Sequence, residues 1–139
     1  MRIIYFNQTP NHCDSVLIIL CYHAGLVFVK NRKRQWELTG GGCKAGETLL
    51  ETATREAYEE AGAVLDLATY EVLGYYVLAD GHTTLISQAE VDHFEAIPAA
   101  SETYQRLKAL EPFPADWMSF QASIYTEIFC YLDWGGAHD

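Results

Sequence analysis

The sequence predicts a mixed α/β fold in one domain. Three observations carry that expectation. Two neighbouring runs, Ser15 to Tyr22 and Leu26 to Lys30, are rich in β-branched and aliphatic residues; a helical pattern from about Thr48 to Ala61 stops at Gly62; and a second apolar stripe at helical spacing runs from Ser119 to Leu132. A chain of 139 residues with 50% hydrophobic content is near the modal domain size and can bury a real core. The expected domain spans residues 1–134, with 135–139 a short tail whose His138 reads as a solvated terminus.

Each element has its own local reason. The apolar run Ile3 to Phe6 after Arg2 is too short for a signal-peptide core, and nothing approaches a membrane span, so a soluble cytoplasmic protein is expected. The first two strands should join through His23-Ala24-Gly25, with glycine supplying the hairpin signal. In the helix from Thr48, Leu50, Ala53, Ala57 and Ala61 form the apolar stripe, and Gly62 can take the left-handed conformation after the last turn. Strand regions Val64 to Leu78 and Thr83 to Ile97 follow, separated by Asp80-Gly81. Ser101 reads as the N-cap of a short helix through Leu110 that Glu111-Pro112-Phe113-Pro114 would end. In the last helix Phe120, Ile124, Ile128 and Tyr131 share one stripe. Cys13, Cys21, Cys43 and Cys130 show no Cys-x-x-Cys spacing, so free thiols are expected rather than a zinc knuckle or a disulfide scaffold, and His12-Cys13-Asp14 reads as a polar turn.

The chemistry concentrates in the first helix and the glycine loop before it. At 100° per residue, Glu56, Glu59 and Glu60 fall within an arc of about 100° beside the alanine stripe. Like charges four apart cost an isolated helix roughly 0.2–0.5 kcal/mol, which makes Glu56 with Glu60 a liability unless a cation sits between them. Clustered carboxylates without a histidine or cysteine partner suit a hard ion, Mg²⁺ or Mn²⁺. Arg55 lies four residues from both Glu51 and Glu59 and can hold their side chains.

The residues Gly41, Glu47, Arg55, Glu56, Ala57, Glu59, Glu60, Gly62 and Ala63 stand at a spacing that resembles the signature of the Nudix (MutT-like) hydrolase family. With seven fixed types each used at roughly 5–8%, a chance match at one window is on the order of one in 10⁸. An acidic surface helix after a glycine turn would explain Arg-Glu-x-x-Glu-Glu alone, not the whole pattern. Trp36-Glu37-Leu38-Thr39-Gly40-Gly41 looks like the family's strand and loop entering the box, although Thr39 stands where proline is common. Lys44 stands where an acid is frequent, and Ala57 and Ala63 are small for their positions. The resemblance implies an α/β/α sandwich with a mixed central sheet. It also implies hydrolysis of a diphosphate linkage in a nucleoside diphosphate joined to another group. By that similarity Glu59 and Glu60 are the best metal ligands and the Gly40 carbonyl an additional one. Glu56 is a ligand or the base, and Glu47 supports the shell. Glu102, from a loop after the central sheet, is a second candidate base; its other reading is a first-turn glutamate of the expected helix.

Charge narrows the partners. A net charge of -10 argues against clamping a nucleic-acid duplex. Of nine Lys and Arg residues, six lie between positions 30 and 55, and Arg32, Lys33, Arg34 and Lys44 are the candidates for substrate phosphates. Tyr75, Tyr76, Phe94, Trp117 and Trp36 could stack on a base or fill the core. The expected substrate is a small nucleotide. A nucleoside triphosphate, oxidised forms included, is the first guess by analogy, giving nucleoside monophosphate and pyrophosphate. A noncatalytic nucleotide sensor and a protein-interaction domain stand as alternatives, and a homodimer is left open.

Overall fold

The computed structural model describes residues 3–110, 117–118 and 123–133. Its centre is the strand β2 (Ser15–Tyr22), whose near-continuous apolar run is buried on both faces. Alternation divides that run: Val16, Ile18 and Leu20 enter one core, and Leu17 and Ile19 enter the other. The first core is closed by helix α1 (Leu49–Ala61) through Ala53, Ala57 and Ala61, all fully buried. The second is closed by α2 (Ser123–Leu132) through Tyr125, Ile128 and Phe129. A sheet with a helix on each face is the expected sandwich.

The remaining strands are β1 (Ile3–Phe6), β3 (Gly25–Asn31), β4 (Trp36–Glu37), β5 (Thr39–Gly42), β6 (Ala63–Leu65), β7 (Glu71–Val77), β8 (Thr83–Phe94) and β9 (Thr103–Ala109). They run in the order β1-β7-β8-β2-β3-β4, with β5 paired to β2, β6 to β8 and β9 to β3. The β2–β8 pair is parallel and the others are antiparallel, so the sheet is mixed, as expected.

Helix α1 follows its local signals. Thr48 and Glu51 form a reciprocal capping box, and Gly62 closes the helix at φ 64°. Two details differ from the expected stripe. Leu50 is exposed, and Thr52 is buried in its place, its hydroxyl donating to Glu47 at 2.8 Å.

Other elements correct the sequence reading. In the first hairpin the positive φ values fall on His23 (47°) and Ala24 (66°), not on glycine. Gly25 instead opens β3, where a Cβ would press on Lys108 and the Ala109 carbonyl of β9. The region Val64 to Leu78 is broken by a 3-10 turn, Leu67–Thr69, capped by Asp66. The largest correction concerns residues 101–110, where Thr103–Ala109 form β9 in place of the expected helix and pair along β3 from Leu26↔Ala109 to Asn31↔Thr103. A helix that short is marginal alone, and pairing with β3 overrides its local propensity. Ser101 still accepts the Thr103 N–H at 3.1 Å, but as part of a turn. Ile3–Phe6, read only as an apolar run, is an edge strand on β7. In α2 the buried positions are Tyr125, Ile128 and Phe129, whereas Tyr131 is exposed and stacks on Phe6. Phe120, Glu111 to Pro114 and the tail with His138 lie outside the described residues.

Candidate active site

The glycine loop and α1 are locked together by one arginine. Arg55 donates to Glu47 through Nε (2.6 Å) and Nη2 (3.0 Å). It also reaches Glu56 (2.5 Å), Glu59 (3.1 Å) and the Gly42 carbonyl (2.9 Å). Of its two expected partners only Glu59 is correct. Glu51 is spent on the capping box, accepting the Thr48 N–H at 2.8 Å. Glu47 further accepts the Lys44 N–H and the Thr52 hydroxyl, and these bonds, led by Arg55, hold its carboxyl down at about 2. Gly41 is required by contact, because a Cβ there would stand 2.5 Å from the Glu56 carboxylate.

The three clustered acids occupy different surroundings. Glu56 is buried and its carboxyl is pushed up by that burial, partly offset by Arg55. Glu59 is about half exposed. Glu60 accepts the Gly40 N–H at 2.9 Å, and burial pushes its carboxyl up to about 8, with the charges of Glu56, Glu37 and Glu102 adding to the effect. Gly40, on β5, thus meets Glu60 through its amide.

Glu60 opens onto a cleft of about 610 Å³. Its floor is β5, β2, β8 and β7, and its walls include Arg34, Glu37, Glu102, Ile124 and Tyr125. Among the four basic candidates only Arg34 reaches this cleft, gripping the buried Glu37 through Nε (3.2 Å) and Nη2 (3.1 Å). Arg32 donates to the Ser101 carbonyl (3.0 Å) and covers the Tyr104 ring. Lys33 is exposed in the β3–β4 turn, and Lys44 lines a separate depression with His12, Cys13 and Cys43. Glu102 stands in a loop on the cleft wall, its carbonyl accepting the Arg32 N–H; with β9 a strand, its helix-dipole reading falls away.

The aromatic candidates separate in the same way. Tyr76 lines the cleft, whereas Tyr75 stacks on Tyr5 and Phe94 packs against Tyr22 under Arg106. Trp36 packs into the second core and Trp117 is exposed. The sequence reading missed Ser15, Glu37, His82, Thr84 and Tyr125. Of these only Glu37 carried a local signal, its spacing of three from Arg34. Ser15, His82 and Thr84 meet through the long-range pairing of β2 with β8, and Tyr125 arrives from α2. His12 and Asp14 form the expected polar turn (2.9 Å), and burial pushes the Cys13 thiol up to about 11.

The NUDIX domain family model matches residues 11–125. The chain belongs to the Nudix family. Solved structures place this Nudix chain among similar folds. The pyrophosphohydrolase BsRppH of Bacillus subtilis (E68A mutant) matches with a TM-score of 0.82 at 21% identity, covering 95% of this chain and 89% of that one. A putative Nudix hydrolase from Chromobacterium violaceum gives 0.67 at 14% identity, covering 89% and 81%. An ADP-ribose pyrophosphatase from Streptococcus suis gives 0.55 at 17% identity, covering 72% and 75%. No curated protein matches by sequence.

The donor set of the Nudix helix fits a hard divalent cation in chemistry. Glu56, Glu59 and Glu60 each engage one carboxylate oxygen in a hydrogen bond, through their Oε1 atoms, and Glu60 is a half-buried acid whose ionisation a cation would restore. As placed, no three His, Cys, Asp or Glu side chains among the described residues converge on a metal position. No helix among them is long and apolar enough to cross a membrane.

Proposed function

We propose that this Nudix protein is a metal-dependent pyrophosphohydrolase of nucleoside diphosphates linked to a further group. A nucleoside triphosphate, oxidised forms included, is the first candidate, giving nucleoside monophosphate and pyrophosphate. The observation that carries the reading is the opening of the α1 carboxylates, through Glu60, onto a cleft that also presents Arg34. Glu59 and Glu60 would hold Mg²⁺ or Mn²⁺, with Glu56 and the Gly40 carbonyl as further ligands. Bound there, the cation supplies neutralisation of diphosphate oxygens and a more acidic water.

The chain's own groups do the rest. Arg55 fixes the directions of Glu47, Glu56 and Glu59, so the acids are preorganised before substrate arrives. Arg34 offers charge to a phosphate entering from the wall, while Arg32, Lys33 and Lys44 stand back and would meet only a longer anion. Water adds to one phosphorus, its proton passes to a carboxylate, and the bridging P–O bond breaks with the other phosphate leaving. Glu102 and Glu56 are the two candidate acids for that proton. Free Cys13, Cys21, Cys43 and Cys130 support a reducing, cytoplasmic setting.

The test is product analysis by mass after incubation with nucleoside triphosphates, nucleotide sugars, ADP-ribose and dinucleoside polyphosphates, in Mg²⁺ and in EDTA. Metal-dependent cleavage within a diphosphate is the expected result. Folded protein that leaves the whole panel intact would move the assignment to a nucleotide sensor.

A further inference from the structure

The cleft also carries a hydrogen-bonded chain that the hydrolysis does not use. Ser15 Oγ lies 2.7 Å from Thr84 Oγ1 and 3.0 Å from His82 Nε2, and all three residues line the cleft. Sheet register explains the meeting. Gly42 of β5 pairs with Ser15 of β2, Ser15 with Thr84 of β8, and Thr84 with Tyr76 of β7. These four cleft residues form one row across the strands, three inter-strand spacings or about 14 Å long. The row begins at the glycine loop beside the carboxylates and ends at an aromatic ring.

The row is also rigid. The turn before β8 is closed by the Leu78 N–H to the His82 carbonyl (2.9 Å), and the His82 N–H donates to Asp80 (2.9 Å). Asp14 pins Thr83 by a bond in each direction, its carboxylate accepting the Thr83 N–H and its own N–H donating to the Thr83 carbonyl. Around the polar edge, Tyr76, Leu78 and Ile124 present apolar surface. Arg34 is the only Lys or Arg among the described lining residues. A polar edge built from hydroxyls and an imidazole beside apolar faces suits a flat heterocycle, not a phosphate.

We propose that Ser15, Thr84 and His82 form the edge that reads the nucleobase, and so decide which nucleoside the cleft accepts. Two hydroxyls and an imidazole each act as donor or acceptor, so the edge matches a base edge that places the two side by side. The assignment rests on the hydrolase reading for the nucleotide class, and its test is independent of turnover.

The experiment is calorimetric titration of the whole protein with adenosine, guanosine, cytidine and uridine monophosphates in EDTA, alongside inorganic phosphate. The variants are Thr84→Val, which keeps the side-chain shape, and His82→Ala, with His82→Asn as a rescue. The wild type is expected to prefer one base. Thr84→Val and His82→Ala should weaken that nucleotide by about tenfold and flatten the preference, as expected for losing a hydrogen bond to the ligand. His82→Asn should recover part of the loss, and phosphate binding should not change. Several results would overturn the assignment: no nucleotide binding by the wild type, unchanged preference in variants with wild-type melting temperature, or an equal loss for all bases or for phosphate. A wild type that shows the expected binding pattern but cleaves nothing in the substrate panel would retain this edge and sink the hydrolase reading.

Discussion

At the residue scale, Glu60 and Glu56 share a helix face but have different neighbours. Glu56 touches Arg55, whereas Glu60 is half-buried, accepts the Gly40 N–H and has the charges of Glu56, Glu37 and Glu102 around it. A neutral isostere therefore costs the fold little while removing the charge a cation would need. Glu60→Gln is expected to keep the wild-type melting temperature and lower turnover at saturating Mg²⁺ by at least about tenfold, roughly 1.4 kcal/mol in the barrier. Normal turnover by the folded variant would remove Glu60 from the metal set. Glu102 makes a different prediction, since it lines the same cleft as Glu60 but comes from a separate loop before β9. For Glu102→Gln the pH-rate profile should lose its acidic limb with little change in the Mg²⁺ concentration giving half-maximal rate. An unchanged profile would leave Glu56 as the base. The glycine-to-glutamate spacing made the helix acids legible in the sequence, while Glu102 was reached only through the family resemblance. Ser15, His82 and Thr84 were not legible, because residues up to 69 positions apart meet only through strand register.

At the element scale, the same contrast between local and long-range information separates α1 from β9. Thr48, Glu51 and Gly62 encode the start and stop of α1 within 15 residues of sequence, and the helix appears where they place it. The segment Thr103–Ala109 carries good helix formers such as Gln105, Arg106 and Leu107, yet the edge of β3 claims it as a strand. No local signal in 101–110 reports an unpaired edge formed by residues 25–31. Gly62 joins the two elements. It takes φ 64°, its N–H donates to Tyr58, and a Cβ would collide with the Glu95 carbonyl and approach Arg106 of β9. Gly62→Ala should therefore cost more than the roughly 1 kcal/mol of left-handed strain alone, with about 2 kcal/mol as the expected loss in urea titration. Thr48→Ala, which removes only the cap, should cost about 1 kcal/mol. Equal losses for the two would mean that the backbone around Glu95 yields easily.

For the whole molecule, a net charge of -10 sets how stability responds to acid. Protonation relieves general repulsion among the surface carboxylates, which favours the compact state as pH falls. Glu47 opposes that trend. Its carboxyl sits at about 2 in the fold, held there first by Arg55, against an ordinary value of 4.5. Such a lowered group contributes stability that is fully present above pH 4.5 and is lost as pH falls toward 2. The Glu47–Arg55 bond also joins the glycine loop to α1, so its loss should loosen the loop before the cores formed by β2 come apart. Melting temperatures measured from pH 6 to pH 2 should accordingly fall for the wild type within the window from 4.5 to 2. Glu47→Gln should start lower at pH 6 and fall less steeply across that window, so that the two curves converge near pH 2. Parallel curves would show that the acid response belongs to other carboxylates, and that Arg55 holds the loop through the Gly42 carbonyl instead.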